Sequence, residues 1–244
     1  MDWFYSAYPE ARVGGFSDVD GTIRFYTRIR GVLKRTDTVV DYGCGRGAHL
    51  DDICELRRQV RILRGFVRHV IGIDVSAEGA TNPFVDVFIK IVPGTPWAID
   101  DASVDVVISD FVLEHLENPT EFFQEAHRVL RPGGYLFART PNKWSYPVLA
   151  ARVIPERFHS AILRKGQPDR KTCDVFPAFY RANSCGELLD YCQQCGFEGV
   201  AYTLEGEPAY IRRTSWAYRV AAVLHSMLPS VLRSAIILAA RRHC

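Results

Sequence analysis

The chain has 244 residues, of which 48% are hydrophobic and 24% are charged, and its formal net charge is +2. This length suits one sizeable domain, alone or with a small appendage, and the composition is that of an ordinary globular protein. A net charge so close to zero excludes any general electrostatic argument for a nucleic-acid partner, and we expect none.

The first predicted element is a helix that begins after Asp20, a residue placed to cap it. In "GTIRFYTRIRGVLK", four apolar residues recur at helical spacing, namely Ile23, Tyr26, Ile29 and Leu33. We expect this apolar face to pack on the rest of the domain.

From residue 37 to residue 140, apolar runs alternate with helical patterns. The predicted strands are "TVVDYG", "HVIGIDVS", the weaker "FVDVFIKIV", "SVDVVISDF" and "YLFART". The predicted helices between them are "AHLDDICELRRQVRILRG" and "PTEFFQEAHRVLRPGG", the second closed by glycine. Strands that alternate with helices indicate an α/β fold with a parallel, doubly wound sheet.

The regular pattern ends after residue 140. Residues 141–182 are rich in proline and aromatic side chains, and they predict a lid or irregular connection inserted after the fifth strand. A helix in "SCGELLDYCQQCGF" and a strand in "GVAYTLE" then resume the domain. We therefore expect one domain over residues 1–210 and an amphipathic helical tail over residues 211–244, interrupted by Pro229.

The clearest motif is the glycine-rich turn in "VVDYGCGRGAHL". Asp41 ends an apolar run, and Gly43, Gly45 and Gly47 follow it at alternate positions. Glycine allows a positive φ and a close approach of the backbone to a ligand, and the amides of the next helix, beginning near Ala48, attract anionic groups. A dinucleotide-binding turn has the spacing G-x-G-x-x-G, which this sequence lacks.

Four fragments in this order resemble the class I S-adenosylmethionine-dependent methyltransferases, in the group of type 11 and ubiquinone-biosynthesis-like enzymes. The glycine turn is similar to the first family motif, "VIGIDVS" to the second, "DDASVDVVISDFVLEHLENP" to the region of the fourth strand, and "RVLRPGGYLF" to the connection into the fifth. The resemblance is strong over about residues 37–140 and loose elsewhere.

This resemblance implies a Rossmann-like sheet of seven strands, with the last strand antiparallel, and S-adenosyl-L-methionine as the cofactor. It implies that Asp41 and the three glycines of the turn contact this cofactor. It also implies that Asp74 holds the ribose, because a carboxylate at a strand end can accept hydrogen bonds from both hydroxyls.

The adenine site departs from the family pattern. The loop after the third strand, "IVPGTPWAIDD", has Gly94 where the family often has an acid. Trp97 is a candidate to pack on the adenine, and the backbone of residues 95–97 is a second candidate to hold it. The alternative for Trp97 is an ordinary core tryptophan. The long interval from Gly47 to Asp74 predicts a lengthened first helix.

Histidine is the natural proton acceptor near neutral pH, and two histidines are candidate catalytic bases. His115 follows the fourth strand at the edge of the sheet where ligands bind, and His159 lies in the predicted lid. The alternative for His115 is a residue at a helix start that bonds to backbone. Asp110, which ends the fourth strand, is a candidate to bind the cofactor near its sulfonium, or else an acid that caps the next turn.

The segment after the fifth strand is the candidate acceptor site. Asn142 and Tyr146 in "ARTPNKWSYP" suit a polyol or a phenol, although Thr-Pro-Asn also favours a plain turn. Arg181 suits an acidic group of the acceptor, with a solvated surface arginine as the alternative. Asn183 is expected to cap the next helix.

The seven cysteines are scattered, which does not indicate a disulfide framework. Cys192-x-x-Cys195 has no second pair at zinc spacing, so we expect both thiols to pack and no metal site to form. We find neither a signal-peptide pattern at the N-terminus nor an apolar run of about 18 residues. These features predict a cytoplasmic protein.

The residues after Glu207 include six arginines and no acid. A basic amphipathic helix can lie on an anionic membrane surface, so peripheral membrane contact is one prediction; packing on the domain and dimerisation are the alternatives. The sequence as a whole predicts O-methylation of a small-molecule, glycan or lipid-linked acceptor. A nucleotide-dependent oxidoreductase and a non-catalytic protein that keeps the fold are the rival interpretations.

Overall fold

A single mixed sheet organises the computed structural model, which describes residues 2–146, 148–149, 177–208 and 215–243. Its strands within these residues are β1 (Thr38–Tyr42), β2 (His69–Asp74), β3 (Val87–Lys90), β4 (Val104–Asp110), β5 (Leu130–Pro141), β6 (Phe197–Leu204) and β7 (Ala235–Arg242). They lie in the order β3-β2-β1-β4-β5-β7-β6. Strands β1 to β5 are parallel, and β7 is antiparallel to both β5 and β6. The predicted doubly wound, seven-stranded fold is confirmed.

Helices cover both faces of this sheet. Those described are α1 (Asp2–Ala7), α2 (Gly21–Arg30), α3 (Glu55–Arg61), α4 (Pro119–Val129), α5 (Cys185–Gln194) and α6 (Ser215–Ser226). Because side chains alternate along a strand, Val39 packs in the core under α2 and α3, whereas Val40 packs in the core under α4 and α5. The predicted start of α2 is confirmed, since the Asp20 carboxylate accepts hydrogen bonds from the amides of Thr22 and Ile23.

Two predicted helix boundaries are wrong. The segment after the glycine turn forms a 3₁₀ turn (Ala48–Asp51) and then the short α3, instead of one lengthened helix. The side chain of Asp52 accepts a hydrogen bond from the Cys54 amide, a local turn that competes with helix continuation. Glycine does not close α4, because the chain turns extended at Leu130 and enters β5 directly.

The predicted helical tail is wrong for residues 235–242, which form β7 between β5 and β6. The run "AIILAA" is apolar without interruption, and such a run is compatible with a buried strand or a buried helix. The neighbouring strands on both sides favour the strand over the helix, because they form the backbone hydrogen bonds of β7 in the middle of the sheet. Only α6 and a 3₁₀ turn (Ser230–Leu232) are helical among the described residues of the tail.

The carboxyl ends of the parallel strands and of β6 share one edge of the sheet. Ala235, the first residue of β7, pairs at this edge with both Pro141 and Leu204. The segment that follows β5 and the segment that contains α6 therefore leave the sheet at the same edge as the glycine turn. No helix in the described parts of the chain has the length and apolar character that a membrane span requires.

Candidate active site

A cavity of about 680 Å³ lies at the carboxyl edge of the sheet. Its volume falls within the usual range for small-molecule and cofactor sites. Residues after β1, β2, β3 and β4 and residues of α4 form its wall. Among the predicted site residues, those that line it are Gly43, Gly45, Asp74, Trp97, Asp110 and His115.

The glycine turn and Asp74 form one side of this cavity. The Asp74 carboxylate accepts a hydrogen bond from the Gly45 amide at 2.9 Å and another from the Ser76 amide at 2.7 Å. Gly45 has a φ of 51°, and a Cβ on it would meet no atom within 4 Å. The open space at Gly45 is cavity, so the backbone of the turn is accessible to a ligand beside the Asp74 carboxylate.

The other two glycines of the turn are tightly packed, although Gly43 also lines the cavity. A Cβ on Gly43 would collide with the Val112 side chain, and a Cβ on Gly47 would lie 2.8 Å from Asn82 Oδ1. Gly47 has a φ of 76° and lies outside the cavity lining. Its lack of a side chain lets the turn pack against the loop before β3.

Asp41 also lies behind the cavity wall rather than on it. Burial and, to a smaller extent, the nearby Asp110 carboxylate together raise its pKa to about 7, against the opposing effect of the Arg61 guanidinium. The carboxyl therefore titrates near neutral pH beneath the turn instead of facing a ligand.

Asp110 connects the cavity with a buried polar cluster. Arg139 donates from Nε to Asp110 Oδ1 at 2.7 Å and from Nη2 to Oδ2 at 2.9 Å. Tyr26 of α2 donates its hydroxyl to Oδ2 at 3.2 Å, and Arg61 of α3 lies 3.8 Å from the same oxygen. Burial, the largest effect, would raise the pKa of Asp110, but Arg139, Arg61 and Tyr26 together outweigh it and hold this pKa below its usual value. The side chain is an ionised carboxylate that anchors two helices to the site.

His115 lies on the cavity wall in the turn after β4. Its Nδ1 lies 2.6 Å from the carbonyl oxygen of Pro177. Because a carbonyl oxygen can only accept, Nδ1 carries the proton, and in the neutral ring Nε2 is the basic nitrogen.

The backbone that follows residue 176 is fixed beside this histidine. The amides of Phe179 and Tyr180 donate to the carbonyl oxygen of Glu114, at 2.7 and 3.2 Å. The buried Glu114 side chain accepts a hydrogen bond from the Thr140 hydroxyl on β5. One short turn therefore positions His115 and brings Phe179 to the cavity wall.

A family model described as a methyltransferase domain matches residues 20–179. The chain belongs to the class I S-adenosylmethionine-dependent methyltransferases. A probable S-adenosylmethionine-dependent methyltransferase of Mycolicibacterium smegmatis is 36% identical over 165 residues, 66% of this chain and 51% of that protein. The mitochondrial ubiquinone biosynthesis O-methyltransferase of Mus musculus is 29% identical over 139 residues, 52% of this chain and 35% of that protein.

The methyltransferase fold extends over nearly the whole chain. A Haloferax volcanii protein, solved as a putative methyltransferase in complex with the Trm112 methyltransferase activator, aligns with a TM-score of 0.58. The alignment covers 96% of this chain and 94% of that one at 19% sequence identity. The curated relatives are longer, since this chain spans about half the length of the first of them.

The cofactor of this methyltransferase family is S-adenosylmethionine, and the cavity residues suit it. The accessible Gly45 backbone and the adjacent Asp74 carboxylate provide a polar cradle at the sheet edge. Apolar side chains of residues 91–93 border the same cavity. This combination of a few fixed polar groups and apolar walls is typical of a nucleoside site.

Trp97 is both a residue of the cavity wall and a residue of the hydrophobic core. It borders the cavity, yet it is only 5% exposed and packs in the core, with its ring centroid 5.1 Å from that of Tyr42. Its amide donates to Glu125 Oε2 at 2.7 Å. Stacking of Trp97 on adenine stays a prediction beside this core role.

The sequence analysis missed two acids of the site, Glu121 and Glu125, which line the cavity from α4. They lie four residues apart and so share one face of the helix. That spacing was the available signal.

The predicted acceptor residues do not converge. Asn142 is 2% exposed, and its Nδ2 donates to the carbonyl oxygens of Val231 at 2.7 Å and Arg233 at 2.9 Å. It lies outside the cavity lining. In the structure Asn142 therefore holds the residues before β7 in place, and it does not make the expected contact at the acceptor site.

Tyr146 likewise lies outside the lining and places its hydroxyl 2.6 Å from His225 Nε2 on α6. Arg181 donates to the carbonyl oxygen of Glu117 at the cavity rim, so it is near the site without lining it. His159 lies outside the described residues, as does most of the predicted lid.

Two smaller predictions concern α5. Cys192 is buried in the core with Cys195 packed against it, as expected for small apolar side chains. The described part of the chain contains no group of ligands suited to a metal ion. The predicted cap is off by one residue: Ser184 caps α5, and Asn183 instead donates to Thr140 Oγ1 and to the carbonyl oxygen of Pro141.

Proposed function

We propose that this methyltransferase transfers the methyl group of S-adenosylmethionine to an oxygen atom of a small-molecule, glycan or lipid-linked acceptor. The observation that carries the proposal is the orientation of His115, whose Nδ1–H is bound by the Pro177 carbonyl oxygen. This arrangement keeps the ring proton on Nδ1, so the basic nitrogen is Nε2, which lies 3.9 Å from Glu114 Oε1. A fixed base of this kind is most useful for a hydroxyl, which loses its proton reluctantly.

When bound, S-adenosylmethionine supplies a methyl group that its sulfonium already makes electrophilic. The chain has to bind the acceptor, orient it and remove its proton. Asp74 and the Gly45 backbone are the residues that would hold the cofactor. His115 would accept the acceptor proton at Nε2, a contribution of about 10²- to 10⁴-fold in rate.

The cavity wall supports an acceptor with an apolar or aromatic body. Phe111, Val112, Leu116 and Phe179 line it on the His115 side. The name of the mouse relative, a ubiquinone biosynthesis O-methyltransferase, supports oxygen as the accepting atom. A lipid-linked acceptor would further require the protein to reach a membrane surface, so peripheral membrane contact belongs to that version of the proposal.

The test uses cofactor carrying a ¹³C-labelled methyl group and extracts separated into lipid, glycan and small-molecule fractions. ¹³C NMR of the labelled product identifies the accepting atom, and a methyl on oxygen is the expected result. A product methylated only on nitrogen or carbon contradicts the proposal, as does the absence of any labelled product.

A variant pair then tests the base. His115→Gln should lower turnover by about 10²-fold or more and leave the affinity for S-adenosylhomocysteine unchanged. His243→Gln, at an exposed position on the far side of β7, is the matched control. Equal turnover of both variants would remove His115 from the role of base.

A further inference from the structure

The loop after β3 forms the part of the cavity wall that lies between Asp74 and helix α4. At its start, the Ile91 amide donates a hydrogen bond to the carbonyl oxygen of Asp74 at 3.0 Å. At its end, the Trp97 amide donates to Glu125 Oε2 of α4 at 2.7 Å. Because both ends of the loop are held, its residues border the cavity from the end of β2 to the first turns of α4.

This part of the cavity is an apolar slot, which we define by the side chains of Val75 and Val92. Val75 directly follows Asp74 and is 40% exposed, and Val92 is 62% exposed; both line the cavity. Residues 91–99 include no charged side chain. Apolar walls of this kind suit the faces of a purine base. The loop therefore gives the slot its shape but supplies no carboxylate to it.

The carboxylates of the cavity differ in what they already bind. Those that line it are Asp74, Asp110, Glu117, Glu121 and Glu125. Backbone amides or arginine side chains bind three of them, namely Asp74, Asp110 and Glu125. Glu121 is exposed, and its Oε1 accepts a hydrogen bond from Nδ2 of Asn118 at 2.8 Å. No described residue donates to Oε2 of Glu121, so this oxygen can accept from a ligand.

Glu121 lies on the side of the cavity that holds the slot. Its neighbour Phe122 packs on Tyr42, with the ring centroids 4.8 Å apart, and Tyr42 packs on Trp97 at 5.1 Å. Burial and, to a smaller extent, the carboxylates of Asp74 and Glu121 raise the pKa of Tyr42 to about 12. Both carboxylates therefore approach the end of β1, where Tyr42 lies.

Glu117, the other acid without an arginine partner in the described chain, lies elsewhere on the wall. It precedes α4, in the segment that follows the His115 turn. Its carbonyl oxygen accepts a hydrogen bond from Arg181, so its backbone is bound to the segment that borders His115. This position makes Glu117 a matched comparison for Glu121, since it carries the same charge on the same cavity.

We propose that Glu121 selects adenine in the bound cofactor, because its carboxylate accepts a hydrogen bond from the 6-amino group of a base held in the apolar slot. A carboxylate is a suitable acceptor for the exocyclic amino group of a base. The inference rests on the proposed position of the ribose at Asp74 and goes beyond it by naming the residue that distinguishes adenine from other purines. A site that binds an amino group rejects an analogue without it, since the acceptor is then left unpaired.

Isothermal titration calorimetry with the full chain tests this without turnover. The two ligands are S-adenosylhomocysteine and S-inosylhomocysteine, which has a 6-oxo group in place of the 6-amino group. The unaltered protein should bind the adenosyl ligand at least about tenfold more tightly. Glu121→Gln should bring the ratio of the two affinities close to one, because the glutamine amide can accept from the amino group and donate to the oxo group. Thermal unfolding checks that the variant is folded.

Two further variants separate the possible outcomes. Glu117→Gln removes the same charge from the cavity and should leave the affinity ratio unchanged. Asp74→Asn should weaken both ligands to a similar extent, because both carry the same ribose. Equal affinities in the unaltered protein, or an unchanged ratio in Glu121→Gln, would overturn the role of Glu121 alone. Unaffected binding in Asp74→Asn would instead contradict the proposed ribose position, and binding of neither ligand by the unaltered protein would overturn both.

Discussion

Asp110 at the end of β4 and Arg139 on β5 form a two-contact ion pair whose side chains are only 8% and 6% exposed. The pair lies directly behind the cavity, and Asp110 also lines it. Because Tyr26 and Arg61 approach the same carboxylate from α2 and α3, this one side chain joins the cavity to the helices under the sheet. Asp110 is therefore as much a structural residue as a residue of the cavity wall.

The ion pair predicts a large stability loss in Asp110→Asn. Removing the negative charge leaves the Arg139 guanidinium buried without its counterion, which should cost about 3 kcal/mol. The free energy of unfolding in urea measures this. Asp101→Asn is the control, because the exposed Asp101–Arg128 pair should contribute less than about 1 kcal/mol. Similar losses in both variants would show that the Asp110–Arg139 pair contributes no more to stability than an exposed ion pair does.

The position of Asp74 predicts that its substitution lowers cofactor affinity and changes little else. Asp74→Asn removes the charge that would hold the ribose hydroxyls and should weaken S-adenosylhomocysteine binding at least about tenfold, or roughly 1.4 kcal/mol. Isothermal titration calorimetry measures the dissociation constant. Glu78→Ala, at an exposed position four residues away, should bind normally. An unchanged constant in Asp74→Asn would remove Asp74 from the ribose role.

The sequence predicted the part of the site that depends on local spacing. Gly43, Gly45 and Asp74 follow two adjacent parallel strands, and strand ends that share a sheet edge must converge. The same reasoning placed Asp110 and His115 on the cavity. It could not separate Gly45, which faces the cavity, from Gly47, which packs on Asn82, because both have the same local pattern.

Local spacing in the sequence does not predict contacts between distant segments of the chain. The position of Asn142 after β5 predicts an acceptor contact, but its amide donates to carbonyl groups about 90 residues further along the chain. The unbroken apolar run of β7 fits a helix as well as a strand. Only its position between two strands settles the choice, and that position is a property of the whole sheet.

Asp41 predicts an unusual dependence of stability on pH in the cofactor-free protein. Its pKa is about 7 in the folded chain against an ordinary value of 3.8, so between these values the folded state holds a proton that the unfolded state has lost. Stability contributed by this group is therefore complete below about pH 4 and declines as pH rises toward 7.

Urea unfolding at several pH values checks this against Asp41→Asn, which cannot titrate. The stability of the unaltered protein relative to this variant should fall steadily across the interval. Val13→Asn, an exposed substitution that adds and removes no titratable group, should give a constant difference. A relative stability that rises with pH would mean that the Asp41 carboxyl is ionised beneath the turn.

The buried contacts of Asn142 predict that its substitution lowers the stability of the fold without weakening cofactor binding. Its Nδ2 donates to two carbonyl groups in the residues that lead into β7, and its Oδ1 accepts from the Trp144 amide. Asn142→Ala leaves these buried groups without partners and should cost about 2 kcal/mol. Asn142→Asp keeps the acceptor but faces the same carbonyl groups with negative charge, so it should be at least as destabilised. Thermal unfolding measures both, and S-adenosylhomocysteine affinity at low temperature should be unchanged. Stable variants that bind the cofactor but lose turnover would return Asn142 to the acceptor site.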